Sequence, residues 1–365
     1  MNWPTARILE EAADARAYVY DAALLRARAE QVFDLVDDYA YPIKANPDSE
    51  MVRAALAAGA SLDLCSRGDL QIAAECGADL SGCNFTSANL GLGLASDLAR
   101  AGVTVDLDSM GQIETWVAAG GGDAGVRVCT ADSHSAYGSK FGVRVEEIGP
   151  AAKALARAGY RLTTLHMHDA HADRTPDEMV DRILEVLRAA PREVLAACNR
   201  VNIGGGWPMP GGLPIDAGAL APCFRRLRSE LEDLGFDGRL AAEPGEWAVG
   251  SCGWLPGRVV AVKPHPLERD RLVVVLDVAT PVPCRPSRAP FAVVRDGGLV
   301  APSAEPVECD IYGSANTGLD TIGTGVMLQR PKTGDVIAAA GMGAYARELT
   351  GPFNERPAPG TTVTG

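Results

Sequence analysis

A lysine ends an apolar run near the start of this chain, in the segment YPIKANPD at positions 41–48. Lys44 is either a charge that reaches solvent where a strand ends or an amine held inside a site, and burial of a lysine favours its neutral, nucleophilic form. A neutral amine can form a Schiff base with a carbonyl compound. The residues that accompany Lys44 must therefore decide between the two interpretations.

Three other groups that can do chemistry also stand at the ends of apolar runs. In HMHDAH, His166 and His168 alternate onto one face of a strand. A buried structural imidazole suits His166, and an imidazole that stacks on a planar ligand suits His168. The triplet Gly204–Gly206 is either a flexible loop or a backbone cradle for an anion. Glu243 closes LAAEPG, and a buried carboxylate needs a partner, either a structural salt bridge or the protonated nitrogen of a ligand ring.

The histidine pair also admits a metal, with Asp169 or His171 as a further ligand. No cysteine or glutamate cluster of matching spacing accompanies it, so the sequence favours no metal site. Together, an amine, an anion cradle, a stacking imidazole and a carboxylate describe a site for pyridoxal 5′-phosphate. In this interpretation Lys44 binds the cofactor covalently.

The elements that must position these groups follow an alternating pattern between about residues 38 and 250. Apolar runs alternate with longer stretches of helical period, and helix signals are clear at Asp48 or Ser49, where a helix begins, and at Gly59, where it ends. Eight runs predict a (β/α)8 TIM-type barrel, whose active site lies at the C-terminal ends of its strands; an open doubly wound sheet is the alternative. The runs are AYPIKA, SLDLC, CNFTS, VTVDLD, VRVC, TTLHMH, RVNIG and LAAEPG.

After residue 255 the sequence becomes rich in short β-type segments punctuated by proline and glycine, such as GRVVAVKP and RLVVVLDVA. We expect a barrel over residues 25–255 and a second, β-rich domain, resembling a β-sandwich or small barrel, over residues 256–365. Residues 1–24 are assigned to the second domain because AYVYD can add a strand to it.

Composition excludes several classes of function. The net charge of −13 and the lack of a basic run argue against nucleic acid and anionic membranes as partners. No run approaches the roughly 18 to 20 apolar residues of a membrane span, and the N-terminus lacks a signal-peptide core, so a cytoplasmic protein is expected. The nine cysteines include no Cys-x-x-Cys pair, and their odd number argues against a complete disulfide framework.

Over nearly its whole length the chain resembles the fold-type III pyridoxal-phosphate decarboxylases, which include diaminopimelate, ornithine and arginine decarboxylases. Several motifs occur in the family order, which makes the resemblance more specific than any one motif. They are YPIKANP, SLDLCSRGDL, SKFG at 139–142, LHMH, NIGGGW, AAEPG, CRP at 284–286, GSANTGLD at 313–320, GAY at 343–345 and FN at 353–354.

The resemblance implies a homodimer in which the β-rich domain of one subunit completes the active site of the other. It implies that Lys44 holds the cofactor, that His168 stacks on its ring and that Glu243 pairs with the ring nitrogen, which favours decarboxylation. The other implied cofactor contacts are Asp63, Arg127, His171, Gly204, Gly205, Gly206, Gly245, Glu246 and Tyr345. The implied substrate contacts are Arg285, Asn316, Thr317 and Tyr345, with Asn316 also at a catalytic position.

Two departures from the family pattern concern the phosphate. His171 replaces a serine that usually touches phosphate, and Glu246 replaces an arginine that usually does so. A carboxylate beside a phosphate dianion is repulsive unless it turns away or pairs with a cation. A protonated His171 is the candidate cation.

The third departure concerns the substrate. In GSANTGLD, Asn316 and Thr317 stand where the family has a cysteine that handles a proton and an acid that binds the distal amine, whereas Asp320 is retained. A free basic amino acid is therefore less expected as substrate. Arg285 matches an arginine that holds a substrate carboxylate, so we expect a distal carboxylate or a conjugated or carrier-bound group.

Two other functions stay open from the sequence. Altered proton delivery at Asn316 can yield a racemase or epimerase, and weakened cofactor contacts at Glu246 and His171 can yield a non-catalytic, regulatory homologue. The group that protonates the product is also open between Cys309 and His168.

Overall fold

The computed structural model describes residues 3–130, 140–169, 173–280, 290–301, 305–351 and 353–365. The chain forms two compact units. The barrel unit comprises Arg26–Pro210 and Pro214–Ala248, and the β unit comprises Met1–Leu25, Gly211–Leu213 and Val249–Gly365. The predicted calls at His171 and Arg285, the whole CRP motif and Ser139 of the SKFG motif lie outside the described residues.

The N-terminal segment contains helix α1 (Ala6–Ala15), strand β1 (Ala17–Asp21) and helix α2 (Ala22–Phe33). Arg16 follows helix α1, and its φ of 51° turns the chain into β1. β1 (AYVYD) is buried along most of its length, belongs to the β unit and pairs there with the strand that begins at Gly253.

Eight parallel strands close into a barrel, in which Tyr39 of the first pairs with Ala242 of the last. The predicted (β/α)8 fold is confirmed, and the alternative of an open sheet is wrong. Each apolar run became a strand because its residues alternate between the interior of the barrel and the surrounding helices. The strands are β2 (Asp38–Pro42), β3 (Ser61–Leu64), β4 (Asn84–Thr86), β5 (Thr104–Leu107), β6 (Ala124–Val128), β7 (Leu162–Met167), β8 (Arg200–Asn202) and β9 (Arg239–Ala242).

Helices connect these strands, and polar side chains cap their N-termini. Helix α3 begins after Asp48, whose carboxylate accepts the Glu50 N–H at 3.0 Å, as the sequence indicates. Ser66 and Ser109 cap two later helices in the same way. The barrel helices are α3 (Ser49–Ala57), α4 (Arg67–Glu75), α5 (Leu92–Ala101), α6 (Met110–Ala118), α7 (Ile148–Arg157), α8 (Pro176–Ala189), α9 (Arg192–Ala197), α10 (Ala217–Asp233) and α11 (Gly245–Val249).

The β unit is built on one nine-stranded sheet with the order β13-β12-β16-β10-β11-β14-β15, to which β1 adds by pairing with β10, and β17 by pairing with β1. The β-rich second domain is therefore confirmed. The long strand β10 pairs with β16 through its first half and with β11 through its second. Its strands are β10 (Gly253–Pro264), β11 (Arg271–Leu276), β12 (Phe291–Arg295), β13 (Gly298–Leu299), β14 (Val307–Tyr312), β15 (Thr321–Leu328), β16 (Val336–Ala340) and β17 (Gly360–Thr364).

One core of the β unit lies between α1 and the sheet, where Leu9 and Val19 pack with Trp254 and Val336. Burial of these side chains contributes roughly 1.5–3 kcal/mol each to the stability of the fold. Within the described residues, no helix has both the length and the apolar character needed to cross a membrane.

Candidate active site

Lys44 stands in a short 3₁₀ turn, Ile43–Ala45, immediately after β2. Its Nζ donates to Oδ2 of Asp63 at 2.5 Å and lies 3.4 Å from Sγ of Cys65. The Lys44 side chain is 37% exposed, whereas Asp63 is fully buried. The amine therefore sits at the C-terminal end of the strands, a region termed here the barrel mouth, and β3 supplies the carboxylate that holds it.

Burial governs the ionisation of the two groups beside Lys44. Burial, with the nearby charge of Glu243, raises the pKa of Asp63 to about 7, and the ammonium of Lys44 opposes that rise. Burial, with the charge of Asp63, raises the pKa of Cys65 to about 12. Cys65 is therefore a thiol at neutral pH, and it accepts a hydrogen bond from Lys44.

The glycine triplet after β8 comes close to two neighbouring strands. Gly204 and Gly206 have φ of 63° and 76°, a conformation that favours glycine. A Cβ on Gly204 would lie 2.5 Å from the carbonyl oxygen of Met167, and one on Gly205 would lie 2.6 Å from that of Glu243. Gly204 and Gly205 therefore require glycine, because the neighbouring backbone leaves no room for a side chain.

His168, one residue beyond β7, is oriented by the glycine loop. The N–H of Gly205 donates to its Nδ1 at 3.1 Å. Burial, with the charges of Lys44 and Arg127, lowers the pKa of His168 to about 3. The imidazole is therefore neutral, with its proton on Nε2.

Glu243 follows β9 and is almost fully buried. Its Oε1 accepts from Nδ2 of Asn202 at 2.6 Å, and its Oε2 lies 3.5 Å from Nε2 of His166. Burial alone would raise the pKa of Glu243, but His166, Lys44 and the Asn202 amide outweigh burial and hold that pKa well below its usual range. Glu243 is therefore ionised at neutral pH.

A second buried carboxylate lies deeper in the barrel. Oδ2 of Asp106, on β5, is 3.9 Å from Nδ1 of His166 on β7, and since these strands are not neighbours the approach crosses the barrel interior. Burial raises the pKa of Asp106. Gly125, on the intervening strand β6, is required because a Cβ there would overlap the Asp106 carboxylate. His166 thus faces one carboxylate with each ring nitrogen.

Arg127 projects from β6 near the SKFG segment. Its guanidinium stacks on the ring of Phe141 at 4.2 Å, and its Nη1 lies 3.7 Å from Oδ1 of Asp108. Gly142 has a φ of 82° and packs on the backbone at Val128 and Cys129. Phe141 and Asp108 therefore hold the Arg127 guanidinium in place.

The segment after Glu243 forms α11, with Gly245 buried and Glu246 half-buried in its first turn. Trp247 is buried beside them, and its indole N–H donates to the carbonyl of Ile215 at 3.1 Å. Glu243, Gly245 and Glu246, all in the motif AAEPGEW, therefore lie where β9 ends and α11 begins.

The remaining predicted residues lie in the β unit. Asn316 is exposed, and its backbone N–H donates to Oδ1 of Asn354 at 2.9 Å. Thr317 accepts the Leu319 N–H through its hydroxyl at 3.2 Å. Tyr345 follows β16 with a φ of 52°, a left-handed conformation rare for tyrosine.

Asp320 behaves differently from the other residues of its loop because it is buried, at 1% exposure. Its Oδ1 accepts from the N–H and hydroxyl of Thr280 at 2.6 and 3.2 Å, and its Oδ2 accepts from the N–H of Ala315 at 2.7 Å. Gly313 is required because a Cβ there would overlap this carboxylate. Asp320 therefore holds the loop Gly313–Asp320 in shape.

Of the two proposed proton donors, Cys309 is buried in β14, and burial raises its pKa to about 11.

Reasoning from the sequence missed Asn202, Asp106 and Cys65, and it treated His166 as structural. A polar residue at every second position of an apolar barrel strand is the signal that would have identified the first two residues.

These residues fit pyridoxal phosphate. A glycine turn at the C-terminal end of a barrel strand suits a phosphate, and an ionised buried carboxylate suits a protonated ring nitrogen. The amine of Lys44 is a group that can form a Schiff base with an aldehyde. A closed parallel barrel with these groups at its mouth defines a pyridoxal-phosphate enzyme.

The chain belongs to the pyridoxal-dependent decarboxylases: its residues 23–250 match the pyridoxal binding domain of that family. Its cofactor is accordingly pyridoxal phosphate, and it is an amino-acid decarboxylase. The diaminopimelate decarboxylase of Deinococcus radiodurans is 27% identical over 371 residues, covering 94% of this chain and 88% of that protein. A lysine/ornithine decarboxylase of Selenomonas ruminantium is 27% identical over 238 residues, covering 61% and 58%.

Solved structures share the fold. The diaminopimelate decarboxylase of Helicobacter pylori, complexed with L-lysine, superposes with a TM-score of 0.82 at 18% identity, covering 96% of this chain and 91% of that one. The arginine decarboxylase of Paramecium bursaria Chlorella virus superposes with a TM-score of 0.83 at 19% identity, covering 99% and 100%. At these identities the likeness supports the fold alone.

Proposed function

We propose that this enzyme decarboxylates a specialised amino acid whose side chain carries a distal carboxylate or is joined to a larger group or carrier. Free lysine and ornithine are excluded as preferred substrates in this proposal. The observation that carries the proposal is the inward orientation of Asp320, the one acid in the loop Gly313–Asp320.

Both oxygens of Asp320 are used by backbone N–H groups and a hydroxyl of its own surroundings. The residues that the loop presents to solvent are uncharged: Asn316 and Leu319 are exposed, the latter at 58%, and Thr317 is half-buried. A distal ammonium that loses its water at such a surface would lack a carboxylate partner, which is costly. An amide and a hydroxyl instead suit a polar uncharged or carboxylated group.

Arg285 supports the carboxylate part of the proposal through its motif alone. The diaminopimelate decarboxylases among the relatives act, by their name, on an amino acid that carries a second carboxylate. A guanidinium binds a carboxylate through two parallel hydrogen bonds, which gives both affinity and orientation. We assign Arg285 to the distal carboxylate of the substrate.

Pyridoxal phosphate, when bound, supplies a ring that withdraws the electron pair left on the α-carbon when CO2 departs. Glu243 places a negative charge against the ring nitrogen, and neutral His168 covers the ring face without adding charge.

Lys44 binds the cofactor, and Asp63 holds its amine in position. The glycine turn Gly204–Gly206 and Gly245 are assigned to the phosphate. Arg127, His171, Glu246 and Tyr345 are assigned further cofactor contacts.

We further propose a homodimer in which Asn316, Thr317, Arg285 and Tyr345 of one subunit complete the barrel mouth of the other. Mixing two inactive variants, Lys44→Ala and Tyr345→Ala, tests this arrangement. Shared sites predict recovery of about one quarter of the wild-type activity, because half of the dimers are mixed and each has one intact site. No recovery in mixed dimers confirmed by mass would contradict shared sites.

A substrate screen for CO2 release tests the function. Lysine, ornithine, arginine, diaminopimelate and side-chain-carboxylated or acylated amino acids are compared at equal concentration, and the carboxylated or acylated compounds should give the highest kcat/KM. Faster turnover of free lysine or ornithine would overturn the proposal. Chiral analysis of the recovered substrate reports racemisation or epimerisation, and absence of both reactions in cofactor-loaded protein would favour a regulatory role.

A further inference from the structure

Asn202, the last residue of β8, is fully buried and its side-chain amide forms two hydrogen bonds in opposite directions. Nδ2 donates to Oε1 of Glu243 at 2.6 Å, and Oδ1 accepts the N–H of Gly204 at 2.9 Å. The N–H of Glu243 donates in turn to the carbonyl of Gly204 at 2.8 Å. The three residues thus form a closed ring of hydrogen bonds, termed here the Asn202 ring.

We propose that Asn202 is a positioning residue that keeps Glu243 ionised and aimed at the ring nitrogen of the cofactor, and that couples this contact to the phosphate cradle. The inference rests on the assignment of Glu243 to the ring nitrogen in the proposed function. It adds a residue to which neither the motifs nor the comparisons assign a role.

The orientation of the Asn202 amide is determined by its partners. If the amide were rotated by half a turn, its oxygen would face the Glu243 carboxylate and its NH2 would face the Gly204 N–H, so both hydrogen bonds would be lost. Because an amide N–H donates and cannot accept, it stabilises the ionised carboxylate of Glu243 over the neutral acid.

Charged groups on several other elements face Glu243. Asp63 and Asp106 disfavour its negative charge, while Lys44 and His166 favour it, and the imidazole of His168 also lies nearby. Lys44 is committed to the cofactor once the cofactor binds. The Asn202 amide is a donor that does not titrate, so its support of Glu243 persists across pH.

The link to Gly204 extends the effect to the phosphate. Gly204 is confined by the carbonyl of Met167 and by His168, so the direction of its N–H depends on few atoms. Oδ1 of Asn202 is the acceptor for that N–H. A change at Asn202 therefore disturbs the carboxylate and the start of the glycine cradle together.

Asn202→Asp removes one of the two hydrogen bonds of the side chain and keeps the other. The carboxylate keeps the shape and still accepts the Gly204 N–H, but it turns the contact with Glu243 from a donor–acceptor pair into two facing acceptors. Apo protein is titrated with pyridoxal phosphate and with its deaza analogue, in which carbon replaces the ring nitrogen, and binding is followed by quenching of tryptophan fluorescence between pH 6 and 9.

Wild-type protein should prefer pyridoxal phosphate over the deaza analogue, and Asn202→Asp should reduce that preference by about tenfold, with a larger reduction at lower pH where Glu243 of the variant becomes protonated. The control is Asn199→Asp, which makes the same change at an exposed position before β8 and should leave the preference within about twofold of wild type. An unchanged preference in Asn202→Asp overturns the proposal.

The double variant Asn202→Asp/Glu243→Gln exchanges donor and acceptor and so restores the hydrogen bond with reversed polarity. It should regain most of the melting temperature lost in Asn202→Asp but none of the preference for the ring nitrogen. Recovery of both would show that the preference does not depend on the Glu243 carboxylate, which would overturn the proposal. If Asn202→Asp does not fold, Asn202→Ala, which adds no buried charge, carries the same test and should lose the preference several-fold.

These outcomes are distinct from failure of the proposed function. If wild-type protein shows no preference for the ring nitrogen, the role of Glu243 is wrong and the inference falls with it. If the preference is present and falls in Asn202→Asp while no tested amino acid releases CO2, the inference stands and the proposed substrate class is wrong.

Discussion

The barrel mouth and the loop Gly313–Asp320 each contain a buried carboxylate that stands in a family motif, yet the two carboxylates have different partners. Glu243 faces a histidine, an asparagine amide and the charge of a lysine, all from other barrel elements. Among the described residues, Asp320 accepts from the backbone N–H groups of Thr280 and Ala315 and from the hydroxyl of Thr280. The first carboxylate retains a charge that a ligand can use, whereas the second is saturated by the loop.

This difference shows that an acid in a motif can serve chemistry or architecture, and that its hydrogen-bond partners distinguish the two roles. Partners that titrate or move leave a carboxylate available to a ligand. Backbone donors from the same loop make it part of the fold. Changes at the barrel mouth should therefore alter cofactor binding, and changes at Asp320 should alter stability.

The largest effect is expected at the barrel mouth. Lys44→Ala removes the amine that binds the cofactor, so CO2 release should fall on the order of 10³-fold or more and the visible absorbance of the loaded protein should vanish. Absorbance spectra with and without added pyridoxal phosphate measure this directly. Lys153→Ala, on the exposed surface of α7, is the control and should retain the spectrum. A persistent visible band in Lys44→Ala would refute the role of Lys44.

The next effect concerns the loop. Asp320→Ala orphans the donors at Thr280 and Ala315 and should reduce the free energy of unfolding by about 2–4 kcal/mol, measured by urea denaturation. The Kd for pyridoxal phosphate should change less than about twofold, because Asp320 is saturated by its loop. Asp270→Ala, at an exposed turn, controls for loss of charge. Weaker cofactor binding without loss of stability would erase the distinction between the two carboxylates.

A smaller effect is the pH dependence of stability that arises from Asp63 at the barrel mouth. The pKa of Asp63 is raised to about 7 in the folded protein, so between about pH 4 and 7 the folded protein holds a proton on Asp63 that the unfolded chain releases. The contribution of Asp63 to wild-type stability therefore falls as pH rises through that window. An asparagine does not titrate, so Asp63→Asn does not lose stability in this way. Its free energy of unfolding relative to wild type should therefore improve by on the order of 2 kcal/mol from pH 5 to pH 8.

Thermal or urea unfolding of the apo proteins across this pH range measures the difference, and Asp34→Asn provides the matched change at an exposed position. The Lys44 amine, whose side chain is 37% exposed, can reach water when its partner is removed. If the difference in the free energy of unfolding between Asp63→Asn and wild type did not change with pH, Asp63 would be ionised throughout the range. The Lys44–Asp63 pair would then behave like an ordinary surface ion pair.

The smallest effect is expected at Cys65. Because burial raises the pKa of this thiol to about 12, it should react with iodoacetamide far more slowly than the half-buried Cys76, as measured by peptide mass spectrometry. Cys65→Ser keeps an acceptor beside Lys44 and should change cofactor affinity by only a few-fold. Rapid labelling of Cys65 would show that the barrel mouth is wetter than its burial indicates.

Much of the fold follows from the sequence because barrel strands are nearly continuous apolar runs and their helices carry caps and terminal glycines. The chemical groups at strand ends, such as Lys44, Glu243 and Gly204–Gly206, were identified because charged residues and glycine triplets are unusual there. Strands β15 and β17 were missed. The first contains Gly323 and Gly325, and the second has a single strongly apolar residue, Val363, and depends on β1 for pairing.

The finer parts of the site could not be predicted for a different physical reason. The Asn202 ring depends on which way an amide points across β8 and β9, and the role of Asp320 depends on Thr280, which is 40 residues away in the chain. His166 looked structural because its two carboxylates come from strands distant in sequence. Such choices are made by tertiary contacts that local pattern does not encode.

The parallel pairing of β1 with β17, in which Ala17 lies opposite Gly360 and Asp21 opposite Thr364, has a consequence for synthesis. A ribosome completes every strand of the barrel before it reaches the partner of β1. The first strand of the nascent chain therefore waits, without this neighbour, while more than three hundred residues emerge and fold. Assembly of the β unit is the late event of biogenesis, and any chain that stalls before β17 carries an exposed strand edge that invites aggregation.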